Sequence, residues 1–146
     1  MTTLETTNDR VDSVHRYLAS LPAVDLPITN RFAPGCYARE MFLPKGVMAI
    51  SKVHRTEHFF VMLAGKMSVW DAENGVQQVS AGHIGITKPG TRRIGFAHED
   101  CRWVTFHPTD KLDVAQIEEE IIEPYAVSAG GPLSEDIMKA LTGGQS

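Results

Sequence analysis

Residues 53–65 of the chain read VHRTEHFFVMLAG. This segment places His54 and His58 four residues apart, with Glu57 between them, ahead of an apolar run that ends at Gly65. Neutral imidazole is the commonest side-chain metal ligand, so the pair raises the hypothesis of a metal site. The alternative is a polar pair at a strand turn that is satisfied by hydrogen bonds and binds no metal.

The spacing of the two histidines can be read in three geometries. The letters HRTEH match H-x-x-E-H, a metalloprotease pattern in which one helix presents both histidines, but residues 59–61 favour a strand. Within one straight strand the two imidazoles would lie about 13 Å apart, too far to share a metal. If residues 55–57 form a tight turn, His54 ends one strand and faces His58 on the next strand. The Cβ atoms of the two histidines would then lie about 5 Å apart.

Composition limits the classes of function. The length of 146 residues indicates a single domain, and the net charge of −4 argues against general affinity for nucleic acid. No segment approaches the roughly 20 apolar residues of a membrane span, and no basic region precedes an apolar one at the N-terminus. We therefore expect a cytoplasmic protein without nucleic-acid or membrane partners. Cys36 and Cys101 are expected to be reduced thiols, although their spacing leaves a disulfide open.

The pattern of short apolar segments predicts an all-β fold. Strand-like segments follow one another closely, with Gly and Pro turns between them, which is typical of a sandwich or barrel. They are Cys36–Phe42, Val47–His54, His58–Ala64, Lys66–Asp71, Val76–Ser80, His83–Thr87, Arg93–Ala97 and Arg102–Phe106.

The two ends of the chain differ from this β-rich part. An amphipathic helix is predicted through residues 11–21, followed by a proline-rich and irregular stretch. Helical patterns recur at residues 113–122 and 134–141. We therefore expect an N-terminal helix and irregular arm over residues 1–34, a β-barrel over 35–108 and a C-terminal helical segment over 109–146.

Two segments of the β-rich part resemble the two motifs of the cupin family. Residues 46–65 resemble the first motif, with His54, His58 and Gly65 in place, and residues 82–93, GHIGITKPGTRR, resemble the second. The resemblance extends over roughly residues 36–108. It implies a double-stranded β-helix, or jelly roll, which usually holds one divalent metal inside the barrel. Cupins commonly dimerise, so the resemblance also implies a homodimer.

The chain departs from the family pattern at the ligand positions. The family places two histidines one residue apart, then a glutamate, and a further histidine in the second motif. The corresponding residues here are Lys52, His54, His58 and Arg93. Two of the four usual ligand positions are therefore cationic, which weakens the inference of a metal but leaves the fold resemblance intact.

A third imidazole is available from His107. If the last two predicted strands form a hairpin that pairs Ile94 with Phe106, Arg93 lies opposite His107. His54, His58 and His107 would then resemble the three-histidine metal sites of cupin thiol dioxygenases. The alternative is a surface histidine at the end of a strand.

Strand alternation also predicts a ligand pocket. Arg93 shares a face with small residues and with Trp103, which offers an aromatic wall, while Lys52 lies on the face that bears His54. Buried cations are costly without partners, and their natural complement is an anion held by the fork of Arg93. We expect Lys52, Arg93 and Trp103 to bind the ligand and Glu57 to move a proton at the barrel mouth, unless Glu57 is simply a solvated turn residue.

Three functions fit these observations. The first is a metal-dependent enzyme of the oxygenase, isomerase or lyase type, which would hold Fe, Zn, Mn or Ni and act on a small anionic metabolite. The second is a non-catalytic module that binds or sequesters an anion such as a nucleotide or sugar phosphate, as in small cupins of phage or accessory genomes. The third, with the least support, is a protein adaptor that uses the acidic residues 118–120.

Overall fold

The computed structural model of the chain describes residues 7–124 and 132–143. These residues form eleven strands and three helices. In chain order they are α1 (Thr7–Ala19), β1 (Ile28–Ala33), β2 (Cys36–Leu43), β3 (Met48–Ile50), β4 (Val53–His54), β5 (His58–Ala64), β6 (Lys66–Asp71), β7 (Gly75–Ser80), β8 (Ile84–Thr87), β9 (Ile94–Ala97), β10 (Cys101–Pro108), α2 (Val114–Ile121), β11 (Ile122–Glu123) and α3 (Glu135–Thr142).

The strands form two main antiparallel sheets that enclose a barrel. One sheet has five strands in the order β1-β2-β10-β5-β8, and the other has four in the order β3-β9-β6-β7. A short pair, β11-β4, stands apart from them. The predicted all-β architecture with flanking helices is confirmed.

The five-stranded sheet begins earlier in the chain than expected. Residues 28–33, predicted to belong to an irregular arm, form β1, which pairs with β2 along its whole length. The prolines on either side of this segment stopped the pattern from being recognised as a strand, but the turn at Gly35, with a φ of 76°, allows the hairpin to close. The sheet therefore includes residues ahead of the expected barrel boundary at residue 35.

The predicted strand Val47–His54 is two separate strands. β3 pairs with β9, whereas β4 pairs with β11, so the chain changes partner between Ile50 and Val53. The break is held by Ser51, whose N–H donates to the carbonyl of Arg93 at 2.9 Å and whose hydroxyl accepts from the N–H of Arg93 at 2.8 Å.

Both predicted hairpins around the histidines are wrong. β4 does not pair with β5, because β5 pairs with β10 and β8. β9 pairs with β3 and β6 in one sheet, while β10 pairs with β2 and β5 in the other. Residues 98–100 therefore cross between sheets, and the partner of His107 in β2 is Tyr37 rather than Arg93.

Three hydrophobic clusters hold these layers together. The first fills the space between the sheets and includes Met62, Val69 and Cys101. The second packs α1 and α3 against the outside of the four-stranded sheet, and the third packs α2 against Tyr37 below the barrel. Cys36 and Cys101 are free thiols, as expected.

A buried ion pair fixes α1 to the barrel. Arg92 donates from Nη1 to Asp12 Oδ1 at 2.6 Å, and the two side chains are only 6% and 2% exposed. Arg92 is buried because α1 covers the face towards which it points.

The outer face of β5 and β8 carries exposed apolar side chains, namely Phe59, Leu63, Ile84 and Ile86. Such a patch is typical of an interaction surface. The expected homodimer stays a prediction.

Within residues 7–124 and 132–143, none of the helices combines the length and the hydropathy that crossing a membrane requires.

Candidate metal centre and anion pocket

Three imidazoles from separate strands meet at one end of the barrel. His54 lies in β4, His58 at the start of β5 and His107 near the end of β10, and all three are buried. Their ring centroids lie 4.5 Å apart for His54 and His58, 4.6 Å for His58 and His107, and 5.5 Å for His54 and His107. One nitrogen of each ring lies within 4.8 Å of the others, which is close enough for one ion.

Strand alternation explains why two of these rings point inward. In β5, His58, Phe60 and Met62 are buried while Phe59 and Leu63 are exposed. In β10, Thr105 and His107 point to the same inner face of the sheet. The predicted inward faces of β5 and β10 are therefore correct, although the predicted strand pairings are not.

The environment keeps the three imidazoles neutral. Burial, together with the neighbouring His58, lowers the pKa of His54 to about 4. Burial, together with His58 and His54, lowers the pKa of His107 to about 3. Burial also lowers the pKa of His58, although its hydrogen bond to Thr56 opposes the shift. Neutral imidazole is the form that binds a metal.

Hydrogen bonds orient the rings. His58 Nδ1 lies 3.0 Å from the carbonyl oxygen of Thr56, so it donates there and leaves Nε2 free. His107 Nε2 lies 2.9 Å from Thr105 Oγ1, whereas its Nδ1 is buried without a hydrogen-bond partner. Backbone carbonyls and hydroxyls commonly orient metal-bound histidines in this way. An orphaned ring nitrogen among neutral imidazoles fits a metal centre.

These lowered pKa values predict a pH-dependent stability. The unfolded chain protonates its histidines near pH 6.5, whereas the folded chain resists protonation until about pH 4 at His54. The unfolded state therefore binds more protons in this window. The free energy of unfolding of the metal-free protein should fall as the pH drops from about 6.5 to about 4, by at most about 1.4 kcal/mol per pH unit for each histidine.

Urea unfolding at a series of pH values measures this effect. A His83→Ala variant is the control, because His83 is exposed and lies outside the cluster, and it should keep the same slope. A free energy of unfolding that is constant across the window would contradict the prediction.

A cavity of about 80 Å³ extends from the histidines into the barrel. This front cavity is lined by His54, His58, Lys52, Arg93, Trp103 and Thr105, and otherwise mainly by apolar side chains. Its lining residues, all of them in the described part of the chain, include two cations and no Asp or Glu. The cavity therefore has the charge that an anionic ligand requires.

Arg93 is held by contacts on two sides. Its Nη1 donates to Thr87 Oγ1 at 2.5 Å, and its Nη2 donates to the carbonyl of Ile86 at 3.4 Å. Its guanidinium carbon lies 4.8 Å from the ring centroid of Phe60, and Phe60 stacks on Trp103 at 4.2 Å. Burial lowers the pKa of Arg93 from its ordinary value, but an arginine remains charged at neutral pH.

Glu57 lies on the other side of the histidines from this cationic cavity. Its side chain is exposed, and it lines a second cavity together with His58, His107 and Cys36. This back cavity does not include Lys52, Arg93 or Trp103. The structure therefore does not bring Glu57 together with the three residues expected to bind the ligand, because residues 55–57 turn away from the barrel interior.

Sequence reasoning missed three polar residues that fix the site. Ser51 and Thr87 hold the backbone and guanidinium of Arg93, and Thr105 holds His107. Alternation in β10 was a signal for Thr105, which lies two residues before His107. No local signal marked Ser51 or Thr87, because their partners come from other strands.

Comparisons with known proteins bear on the fold. No protein-family model and no curated protein matches the chain. The solved DMSP lyase DddQ from Ruegeria pomeroyi is 12% identical, with a TM-score of 0.50 over 58% of this chain and 47% of that one. The chain therefore matches less than half the length of the lyase.

Two further solved structures are similar. An RmlC-like cupin from Methanocaldococcus jannaschii, with a double-stranded β-helix, is 10% identical over 60% of this chain and 84% of its own, with a TM-score of 0.48. A cupin domain from Schizosaccharomyces pombe is 19% identical over 70% of this chain and 71% of its own, also with a TM-score of 0.48. The two facing antiparallel sheets make the fold a double-stranded β-helix, or jelly roll, and the likeness to the lyase, at 12% identity, is one of fold alone.

Proposed function

We propose that this protein is a metal-dependent cupin enzyme in which His54, His58 and His107 hold one divalent transition metal and a small anion binds beside it. The observation that carries the proposal is the convergence of three buried, neutral imidazoles within 4.8 Å, one of them with an orphaned nitrogen. Imidazole suits Zn, Fe and Ni, and Mn is a further candidate. A metal with three protein ligands keeps open positions and acts there as a Lewis acid or activates oxygen.

The chain's own residues supply the binding and orientation of the anion. Arg93 presents a guanidinium that is already positioned by Thr87 and Phe60, so little side-chain freedom is lost when it binds a carboxylate or phosphate. Lys52, which is exposed and lines the same cavity, adds a second charge near the mouth. Trp103 and the apolar lining exclude water from the remainder of the ligand.

A second candidate function is anion capture without catalysis. One observation favours it, which is that the front cavity has no carboxylate to serve as a base among its lining residues in the described part of the chain. In this case Lys52 and Arg93 would capture a nucleotide or sugar phosphate, and a metal would be dispensable.

Metal analysis of protein purified without a histidine tag distinguishes these two functions. The enzyme proposal expects close to one transition metal ion per chain, retained through gel filtration. Protein that carries no metal and still binds inorganic phosphate in the presence of a chelator would support anion capture instead. Protein that binds neither a metal nor inorganic phosphate would overturn both proposals.

Substitution of Arg93 should weaken anion binding specifically. We expect an Arg93→Gln variant to bind isobutyrate and inorganic phosphate about 10- to 100-fold more weakly by calorimetry, because charge-assisted hydrogen bonds contribute about 1.5–3 kcal/mol. The matched control is Arg55→Gln, because Arg55 is exposed, pairs with Glu123 and does not line the cavity. Equal affinities for the two variants would exclude Arg93 from the anion site.

A further inference from the structure

The three histidines separate two cavities. His54 and His58 line the front cavity, whereas His58 and His107 line the back cavity, so the ring of His58 borders both. The back cavity has a volume of about 470 Å³, within the range of small-molecule sites. The cluster therefore lies between two cavities.

The two cavities have opposite charge. Lys52 and Arg93 are the charged residues that line the front cavity, and Glu57 is the charged residue that lines the back one, within the part of the chain that the structure describes. A carboxylate in a partly apolar recess attracts cations and repels anions. A ligand that suits the front cavity is therefore disfavoured in the back cavity.

The remaining lining of the back cavity is mostly apolar. Phe59, Ile86 and Phe106 contribute to it, and Phe59 and Ile86 are 56% and 50% exposed. Aromatic rings beside a carboxylate form a combination that binds an ammonium group through cation–π and ionic contacts, while the apolar surface receives a hydrocarbon body.

We propose that the back cavity binds a small organic cation, an amine with an apolar body, on the side of the histidine cluster opposite to the anion. Glu57 pairs with the ammonium group, and Phe59, Ile86 and Phe106 contact the body. The proposal goes beyond the function proposed above and does not require a metal, because the cavity and its charge belong to the protein alone.

Two probes that share a phenylethyl body but differ in charge test this assignment. Phenethylamine and 3-phenylpropionate are titrated into the full, metal-free chain in the presence of a chelator, and amide NMR shifts are recorded. We expect phenethylamine to shift Glu57, Phe59 and Ile86 saturably, and 3-phenylpropionate to shift residues around Arg93 instead. Equal binding of both probes at the back cavity, or no saturable shift there, would overturn the proposal.

Charge-neutralising variants complete the test. Glu57→Gln should weaken phenethylamine binding about 5- to 10-fold and leave 3-phenylpropionate unaffected, whereas Arg93→Gln should do the reverse. Glu73→Gln is the control, since Glu73 is exposed and lines neither cavity. An unchanged amine affinity in Glu57→Gln would overturn the proposal, whereas the absence of metal from the purified protein would count only against the enzyme function.

Discussion

Replacement of any one of His54, His58 and His107 by alanine is expected to weaken Zn²⁺ binding by at least about 100-fold. Loss of residues that merely orient ligands already costs about 10- to 100-fold, so loss of a ligand should cost more. Competition with a chromophoric chelator measures the affinity, and the visible spectrum of Co²⁺-loaded protein reports the loss of a nitrogen ligand. The rise in melting temperature on adding metal should disappear together with the affinity.

The control for this experiment is His83→Ala, which removes an exposed imidazole outside the cluster. It should retain the affinity and the Co²⁺ spectrum of the unmodified chain. Because the three ligands are buried, each alanine variant is first checked for native circular dichroism without metal. Full metal occupancy in the folded His54→Ala and His58→Ala variants would exclude this ligand set.

Replacement of Gly65 by alanine is expected to lower the free energy of unfolding by about 4 kcal/mol or more, enough to unfold a marginally stable domain. Gly65 joins β5 to β6 with a φ of 92°. A Cβ atom there would lie 2.3 Å from the carbonyl oxygen of Asp100 and 2.8 Å from the Cα of Cys101. Both contacts are with backbone, so relief requires the crossing between the sheets to move.

The matched control is Gly46→Ala, because Gly46 also has a positive φ, 85°, but a Cβ atom there meets nothing within 4 Å. It should cost only about 1 kcal/mol, the penalty of the backbone conformation alone. Urea unfolding gives both values, and insolubility or lost circular dichroism in Gly65→Ala counts as the larger effect. Similar costs for the two variants would show that the close packing at Gly65 is unimportant.

The periodicity of the sequence predicted an all-β sandwich or barrel, and the resemblance of two motifs implied its jelly-roll type, but neither predicted the pairing of the strands. The bounds of β5 and β6 follow from the apolar pattern, and the inward face of β5 follows from alternation, which depends only on neighbours in sequence. The partners of β4, β9 and β10 depend on how two sheets wrap around each other. The prediction instead followed the general rule that strands adjacent in sequence pair as hairpins. That rule failed at residues 98–100, where the chain changes sheet.

The histidine cluster was predicted partly for the wrong reason. His107 was placed next to Arg93 by an incorrect hairpin, and yet its ring lies beside His54 and His58, because alternation alone turns it inward. The position of Glu57 could not be predicted, because an exposed turn residue has no periodicity to orient it. The division of the cluster between two cavities likewise needs the three-dimensional arrangement of β4, β5 and β10.

The pairing of β4 with β11 links the histidine cluster to a distant part of the chain. Ile122 pairs with His54 and Glu123 with Val53, and the N–H of Arg55 donates to the carbonyl of Ile121 at 2.7 Å. These contacts place the strand that carries His54. Under the proposed metal function, docking of residues 121–123 and metal binding would therefore be thermodynamically linked. Loosening of that docked segment would lower the metal affinity by the same factor by which bound metal would strengthen the docking.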